Sequence, residues 1–353
     1  MNGVRGEDAP LRLERLDFPE CSREEWTRLA ELSGNVFLTW EWMAAWWKHF
    51  GVGKSPLAFA CREPGGGLRA ILPLAVSRLG PLRILRFMGH GPADELGPVC
   101  APAHSPGFAG AVSKALAEAG GDLFLGEQLP GDLDWSGLLG GRVVRWEASP
   151  VIRSCQEGWE GYLSTKSKNF REQVRARERR LSRKYALTFR RVDDAARLEP
   201  DLDLLFALHR ARWRGGASAF RWEPFHREFA AAAFERGWLR LWFLELDGRP
   251  AAAWYGFRFA GIESFYQSGR DPDSPGDSVG FVLLAHSIRE ALRDGVREYR
   301  LLRGDETYKY RFADADPGVS TIAAGRGLAG RSAAIGGAAR YWLAARRLRS
   351  PSG

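Results

Sequence analysis

The sequence predicts an α/β protein of two domains, each built from the same succession of strands and helices. The chain has 353 residues, which is more than one compact core usually holds and suits two domains. Three predicted strands, a loop rich in glycine and proline, a helix and a further strand follow one another in each half. An order repeated at this scale indicates two copies of one α/β unit. Hydrophobic residues make up 45% and charged residues 27% of the chain, which is typical of a globular protein.

The first copy begins with an aromatic helix. The segment LTWEWMAAWWKHF, residues 38–50, places Trp42, Trp46 and Phe50 on one face, with Thr39 as its N-cap and Gly51 at its end. We interpret these aromatic side chains as core. The rest of the copy is predicted as strands over 57–62, 68–76 and 82–88, a helix over 108–119 and a strand over 122–125.

The second copy is predicted as strands over 239–245, 251–259 and 262–268, a helix over 279–293 and a strand over 298–302. Helices over 204–213 and 225–235 precede it. We therefore expect an N-terminal domain over 1–150, a C-terminal domain over 151–325 and a basic tail over 326–353, for which a helix is one interpretation.

A strongly basic segment, residues 159–191, separates the two copies. Phe170, Val174 and Leu181 form an apolar stripe, so the segment predicts a helix with one packed seam and one cationic face. The net charge of +8 and pI near 9.5 favour an anionic partner, although a basic composition bias explains them equally well. If that partner is RNA, the residues that would contact it are Lys168, Arg171, Arg175 and Arg179.

Cysteine and histidine spacing excludes several classes of site. The four cysteines and six histidines are scattered, without C-x-x-C or H-E-x-x-H spacing, so no metal site is predicted. Scattered thiols are typical of a reducing compartment, and the N-terminus has no apolar signal core, so we expect a cytoplasmic protein. No apolar run is long enough to span a bilayer, and DNA is not a predicted partner.

The segment from Tyr266 to residue 282 predicts a phosphate site. A strand enters a small-residue loop that opens a helix, where free backbone N–H groups and the positive helix end face an anion. This arrangement suits the phosphate handle of a donor molecule. The residues expected to bind it are Ser274, Gly276, Ser278, Val279 and Gly280.

The sequence GDETYK, residues 304–309, predicts the chemistry. Glu306 or Asp305 could take a proton from an acceptor, Tyr308 could return one to the leaving group, and Lys309 could pair with a phosphate or an oxyanion. The alternatives are a solvated turn, an aromatic anchor and a lysine at the rim. No Ser-His-Asp or Cys-His spacing appears, which favours direct attack over a covalent acyl-enzyme.

Other side chains are expected near the reacting groups. Gln267, at the end of a strand, could donate to the reacting carbonyl, although strand-edge polarity is equally consistent with it. The residues expected to line the acceptor cleft are Tyr266, His209, Arg212 and Trp213.

Several segments resemble the BioF2-like or CelD-like acetyltransferase family, relatives of the GNAT acyltransferases and FemABX peptidyltransferases. They are KNFREQVRARERRL, LHRARWRGGASAF, FLELDGRPAAAWYGF and RGDETYKYRF. The resemblance implies tandem GNAT-like domains of the α/β (α+β) class, each a mixed, mostly antiparallel sheet flanked by helices. It also implies a degenerate first domain, a competent second one and an acyl-CoA donor.

The loop before the last long helix of the second copy departs from that family. The GNAT pyrophosphate signature is Arg/Gln-x-x-Gly-x-Gly/Ala, and SPGDSVG stands in its place. Pro275 has no N–H, and Asp277 adds a negative charge. FemABX-like proteins use aminoacyl-tRNA instead, which the cationic helix would suit.

Three hypotheses therefore remain open. The first is transfer of an acyl group from acyl-CoA to an amine or hydroxyl of a small-molecule or saccharide acceptor. The second is aminoacyl transfer from aminoacyl-tRNA. The third is a binding module without catalysis.

Overall fold

The chain folds into two units, each built around its own β-sheet. The computed structural model describes residues 12–63, 65–102, 108–212, 222–272 and 278–349. Unit 1 combines residues 1–147 with 317–353, and unit 2 comprises residues 148–316.

The elements follow one another along the whole chain. The strands are β1 (Arg12–Leu16), β2 (Ser55–Arg62), β3 (Leu68–Leu79), β4 (Leu82–Phe87), β5 (Leu123–Pro130), β6 (Arg142–Glu147), β7 (Val151–Ile152), β8 (Leu187–Arg191), β9 (Leu239–Leu246), β10 (Arg249–Phe259), β11 (Ile262–Arg270), β12 (Glu298–Arg300) and β13 (Val319–Gly325). The helices are α1 (Arg23–Ser33), α2 (Trp40–Phe50), α3 (Ala109–Glu118), α4 (Trp135–Leu138), α5 (Gly158–Ser164), α6 (Lys168–Lys184), α7 (Leu198–Arg212), α8 (Glu223–Glu235), α9 (Val279–Arg293), α10 (Thr307–Phe312) and α11 (Gly327–Arg349).

Both sheets are mixed and mostly antiparallel, as predicted. In unit 1 the strand order is β1-β2-β3-β4-β5-β13-β6, and in unit 2 it is β7-β12-β11-β10-β9-β8. Each sheet has one parallel pair, β4 with β5 and β11 with β12. The predicted fold class is therefore confirmed.

The unit boundaries differ from the predicted domain boundaries. Residues 317–325 were assigned to the second domain, but they form β13, which lies between β5 and β6 in the sheet of unit 1. The basic tail follows it as α11 in the same unit. The difference arises because strand pairing across nearly 200 positions leaves no local mark in the sequence around residue 317.

Two predicted helices form for the reasons that their sequences indicate. In α2, the Thr39 hydroxyl accepts a hydrogen bond from the Trp42 N–H at 3.3 Å, and Trp42 and Trp46 are fully buried. In α6, the Ser167 hydroxyl accepts from the Phe170 N–H at 3.2 Å. Its apolar stripe of Phe170, Val174 and Leu181 is buried, as predicted.

A β-bulge bends β11 at Tyr266, one of the predicted site residues. Tyr255 of β10 pairs with Gln267, whereas Gly256 pairs with Phe265, so Tyr266 is an extra residue in β11. The pairing of β11 with β12 covers only Ile262 to Ser264. Within the described residues, β11 therefore runs on past its neighbour and leaves one edge without a strand partner.

Among the residues that the structure describes, no helix combines the length and the apolar character needed to cross a bilayer.

His286 on α9 is expected to make the stability of unit 2 depend on pH. Its ring stacks on the Phe189 ring, and the two ring centroids lie 3.8 Å apart. Burial lowers the pKa of His286 to about 3, and the charges of Arg289 and Arg293 contribute to this shift. Between pH 6.5 and about 3 the unfolded chain binds a proton at this position that the folded chain does not, so the unfolding free energy should decrease as the pH falls through that window.

Urea denaturation at several pH values measures this contribution. The matched variant His286→Phe keeps an aromatic ring against Phe189 but cannot titrate. We expect its unfolding free energy to fall less steeply than that of the wild type between pH 6.5 and 4. Parallel pH profiles for the two proteins would contradict the assignment.

Candidate active site

A cavity of about 330 Å³ opens in unit 2 beside the first turn of α9. Its floor is apolar and comes from β10, β11 and α9. Trp254 and Phe265 stack with their ring centroids 5.7 Å apart, and Leu283 and Leu284 complete this surface. The volume lies at the lower end of the range for ligand pockets.

The rim of the cavity is polar and cationic. The polar and charged side chains that line it are Arg177, Arg212, Ser268, Arg270, Ser278, Tyr308 and Arg311. Among the described lining residues there is no aspartate or glutamate. The rim therefore suits an anionic ligand, while the floor suits an apolar group such as an acyl chain.

The C-terminal end of α7 is held tightly against β11. The His209 Nδ1 lies 2.9 Å from the Ser268 carbonyl oxygen, and the Arg212 guanidinium donates to the Ser268 hydroxyl. A Cβ added at Gly269 would lie 2.6 Å from the backbone of His209, so this position needs glycine. These contacts place Arg212 at the cavity, as its predicted substrate role requires.

His209 and Tyr266, the other described substrate candidates, do not line the cavity. His209 is 1% exposed, and burial lowers its pKa, which keeps the ring neutral. Tyr266 packs against the rings of His226, Tyr255 and Phe257 on the opposite face of the sheet. The bulge turns this side chain into the core. Trp213, the fourth candidate, lies outside the described residues.

Tyr308 is the one predicted catalytic residue that lines the cavity within the described structure. It lies on α10, and its pKa is raised to about 12 by burial and by the charge of Glu306, while a hydrogen bond with Arg212 acts in the opposite direction. The phenol is therefore protonated at neutral pH. It can donate a proton to a group that develops negative charge in the cavity.

Lys309 and Glu306 form a separate arrangement below α10. The Lys309 side chain is buried, and its Nζ donates to the carbonyl oxygens of Leu302 and Arg303. The same Nζ lies 3.0 Å from the Glu306 Oε2. Leu302 has φ +56 and Gly304 has φ +126, so the lysine ties together a tight turn. Neither Lys309 nor Glu306 lines the cavity.

The two remaining catalytic candidates also lie away from the cavity lining. Asp305 is exposed in the turn before α10, and Gln267 is half-buried next to the bulge. Of the residues in GDETYK, the structure thus brings only Tyr308 together with Arg212 and Ser268.

The predicted donor loop is described in part. Ser274 and Gly276 lie outside the described residues. Ser278 and Gly280 line the cavity, whereas the Val279 side chain is 1% exposed and packs in the core. The first N–H groups of α9 have no partner within the helix, so this end of the cavity can receive an anion.

Sequence reasoning missed Arg177, Arg270, Phe281 and Arg311, all of which line the cavity. Arg177 lies on α6 but was not among the basic residues that the sequence analysis singled out there. Arg311 follows Lys309 by two positions in the stretch YKYRF, so a second cation was visible there. The functional role was assigned to Lys309 instead.

The corresponding place in unit 1 is occupied by the chain itself. There the parallel pairing of β4 with β5 covers Ile84 to Arg86. Beyond it, the Leu96 N–H donates to the Gln128 carbonyl oxygen at 2.9 Å, and the Ala93 and Leu96 side chains are fully buried. A loop of unit 1 thus fills the space next to β5, and the described cavity belongs to unit 2.

The residues proposed for RNA contact lie on the outer face of α6. Lys168, Arg175 and Arg179 are exposed, and Arg171 is half-buried. Lys168 lies 3.9 Å from Glu172, and Arg175 lies 3.2 Å from Glu160. Arg171 donates to the Lys166 carbonyl oxygen at 2.7 Å. Contacts within the chain therefore already engage some of these cationic side chains.

Among the described residues, no group of three or more histidine, cysteine, aspartate or glutamate side chains is arranged to hold a metal ion.

Comparisons with known proteins agree with this architecture. Residues 168–310 match the family described as Acetyltransferase (GNAT) domain. No protein with a curated description is matched by the sequence. Among solved structures, FemX is similar with a TM-score of 0.64 at 11% identity, over 89% of this chain and 97% of FemX.

Two further structures share the fold. L-PGS from Bacillus licheniformis has a TM-score of 0.56 at 13% identity, over 92% of this chain and 97% of its own. The C-terminal domain of a putative lysylphosphatidylglycerol synthetase from Agrobacterium fabrum has a TM-score of 0.56 at 14% identity, over 89% of this chain and 95% of that domain. Residues 168–310 therefore match a GNAT acetyltransferase domain, and the chain shares its fold with FemX.

Proposed function

We propose that unit 2 transfers an acyl group from acyl-CoA to an amine or hydroxyl of a small-molecule or saccharide acceptor, by direct attack in a ternary complex. One observation carries the proposal: a single cavity joins the first turn of α9, the edge of β11 that has no strand partner, and the Tyr308 phenol. We assign the phosphate, the acyl group and the leaving group of the donor to these three parts of the cavity, in that order.

In this mechanism the acceptor nitrogen or oxygen attacks the thioester carbonyl carbon, a C–N or C–O bond forms, and the C–S bond breaks. The thiolate that leaves takes the proton of the Tyr308 phenol. Arg212, which bonds to both Ser268 and Tyr308, orients that phenol towards β11. The apolar floor of Trp254 and Phe265 keeps water away from the carbonyl.

The acceptor must also lose a proton, since a free amine has a pKa near 10. Glu306 is the carboxylate whose charge acts on Tyr308, and its side chain is 40% exposed. Because it does not line the cavity, we propose that it takes the proton through water. The phenol regains its proton from solvent in the same way.

Isothermal titration calorimetry with acetyl-CoA and with CoA tests the donor. We expect both to bind at one site per chain, because the cationic rim and the end of α9 hold the phosphates that they share. A chain that binds no CoA thioester would exclude this donor.

The second candidate donor is aminoacyl-tRNA. The specific observation in its favour is the exposed row of cations on α6, next to the helix face that carries Arg177 into the cavity. Binding of tRNA should then be tight and should weaken steeply with salt. Replacement of Arg171, Arg175 and Arg179 with glutamate should abolish it, and an unchanged affinity for tRNA would exclude this donor.

A further inference from the structure

We propose that Arg177 and Arg311 form a side-chain site for the pyrophosphate of the donor, so that two guanidinium groups select a phosphate-bearing donor at the first turn of α9. This inference rests on the proposed function and adds the residues that recognise the donor.

The two arginines are held as a pair. Both guanidinium groups donate to one oxygen, the Gln173 Oε1, at 3.2 Å from Arg177 and at shorter range from Arg311. Gln173 is in turn fixed by its Nε2, which donates to the Asn169 Oδ1 at 2.9 Å. Arg177 and Gln173 lie one helical turn apart on α6, and Arg311 reaches the same oxygen from α10.

An aromatic ring sets the position of the pair. The guanidinium carbon of Arg177 lies 4.5 Å from the centre of the Phe281 ring, and that of Arg311 lies 5.2 Å from it. Phe281 is in the first turn of α9 and lines the cavity with both arginines. The two cations therefore lie beside the first N–H groups of that helix, which have no partner within the helix.

The charge of this pair is not balanced within the described structure. Neither Arg177 nor Arg311 forms an ion pair with a carboxylate of the described residues, and their shared acceptor is a neutral amide. Burial and the neighbouring charge of Arg311 lower the pKa of Arg177. Two like charges that are partly removed from water destabilise each other, and a bound dianion would relieve this repulsion.

Phosphate fits this site better than a single carboxylate. Guanidinium groups bind phosphate through paired N–H donors, and two of them can contact both halves of a pyrophosphate. The loop that precedes α9 carries Pro275, which has no N–H, and Asp277, which is negative. The arginine side chains supply hydrogen-bond donors and positive charge, which Pro275 and Asp277 do not provide.

Donor binding with and without phosphate tests the site. The probes are acetyl-CoA and S-acetyl-pantetheine, which keeps the thioester but has no phosphate. In R177Q/R311Q we expect the Kd for acetyl-CoA to rise by about 10- to 100-fold, since hydrogen bonds to charged groups contribute roughly that much. The Kd for S-acetyl-pantetheine should not change.

Two further variants serve as controls. R293Q/R297Q removes the same charge at the last residue of α9 and in the segment that follows it, and should bind acetyl-CoA as the wild type does. R177K/R311K keeps both charges but loses the paired donors, so its affinity should lie between those of the wild type and the glutamine variant; it also replaces that variant if the latter does not fold.

The outcomes separate this inference from the proposed function. If the wild type binds acetyl-CoA and R177Q/R311Q binds it equally well, the arginine site is wrong and the acyl-CoA donor stands. Equal weakening for both probes would also overturn the site, because the effect would not involve phosphate. A wild type that binds no acetyl-CoA would overturn both proposals.

Discussion

Tyr308→Phe is expected to lower the turnover number by about 10²- to 10⁴-fold, which is the usual contribution of a general acid. The phenol lines the cavity and is half-buried, and its raised pKa of about 12 keeps it protonated at neutral pH. Removal of the hydroxyl leaves the ring in place, so the affinity for acetyl-CoA should stay close to that of the wild type. Release of the CoA thiol, with an amino sugar as the acceptor probe, measures the change.

Tyr310→Phe is the matched control for this experiment. Tyr310 lies two positions along α10, is 45% exposed, and donates its hydroxyl to Asp316 at 2.7 Å, away from the cavity lining. It should retain wild-type turnover. If Tyr308→Phe also retains turnover, the phenol does not protonate the leaving group, and another group must.

Lys309→Met is expected to lower the unfolding free energy of the protein by about 2–4 kcal/mol. The buried ammonium donates to the carbonyl oxygens of Leu302 and Arg303, which would be left without this donor in the variant. The loss of its ion pair with Glu306 adds little, since the carboxylate is 40% exposed. Urea denaturation at neutral pH measures the difference.

Lys168→Met is the control for loss of a lysine without loss of buried contacts. Its side chain is 83% exposed, and its ion pair with Glu172 is long, at 3.9 Å. We expect its unfolding free energy to remain near that of the wild type. A Lys309→Met protein of unchanged stability and abolished turnover would instead show that the ammonium acts on substrate, as the sequence hypothesis held.

The candidate site shows how far the position of a side chain can be predicted from the sequence. The stretch GDETYK predicted a functional tyrosine, and Tyr308 does line the cavity. Lys309 lies next to it in the chain but points to backbone carbonyls instead, because consecutive residues of a helix face different directions. The sequence therefore indicated a segment that reaches the cavity, but not which of its side chains faces the cavity.

The sequence by itself predicted several of the helices and strands and the resemblance to the GNAT acyltransferases. Local periodicity and capping predicted α2, α6 and α9, since these signals depend on residues only a few positions apart. The tertiary structure alone decided that β13 joins the sheet of unit 1 and that Arg177 and Arg311 meet on Gln173. Those contacts join residues more than 100 positions apart, and the free energy that selects them comes from strand pairing and burial, which no short window of sequence contains.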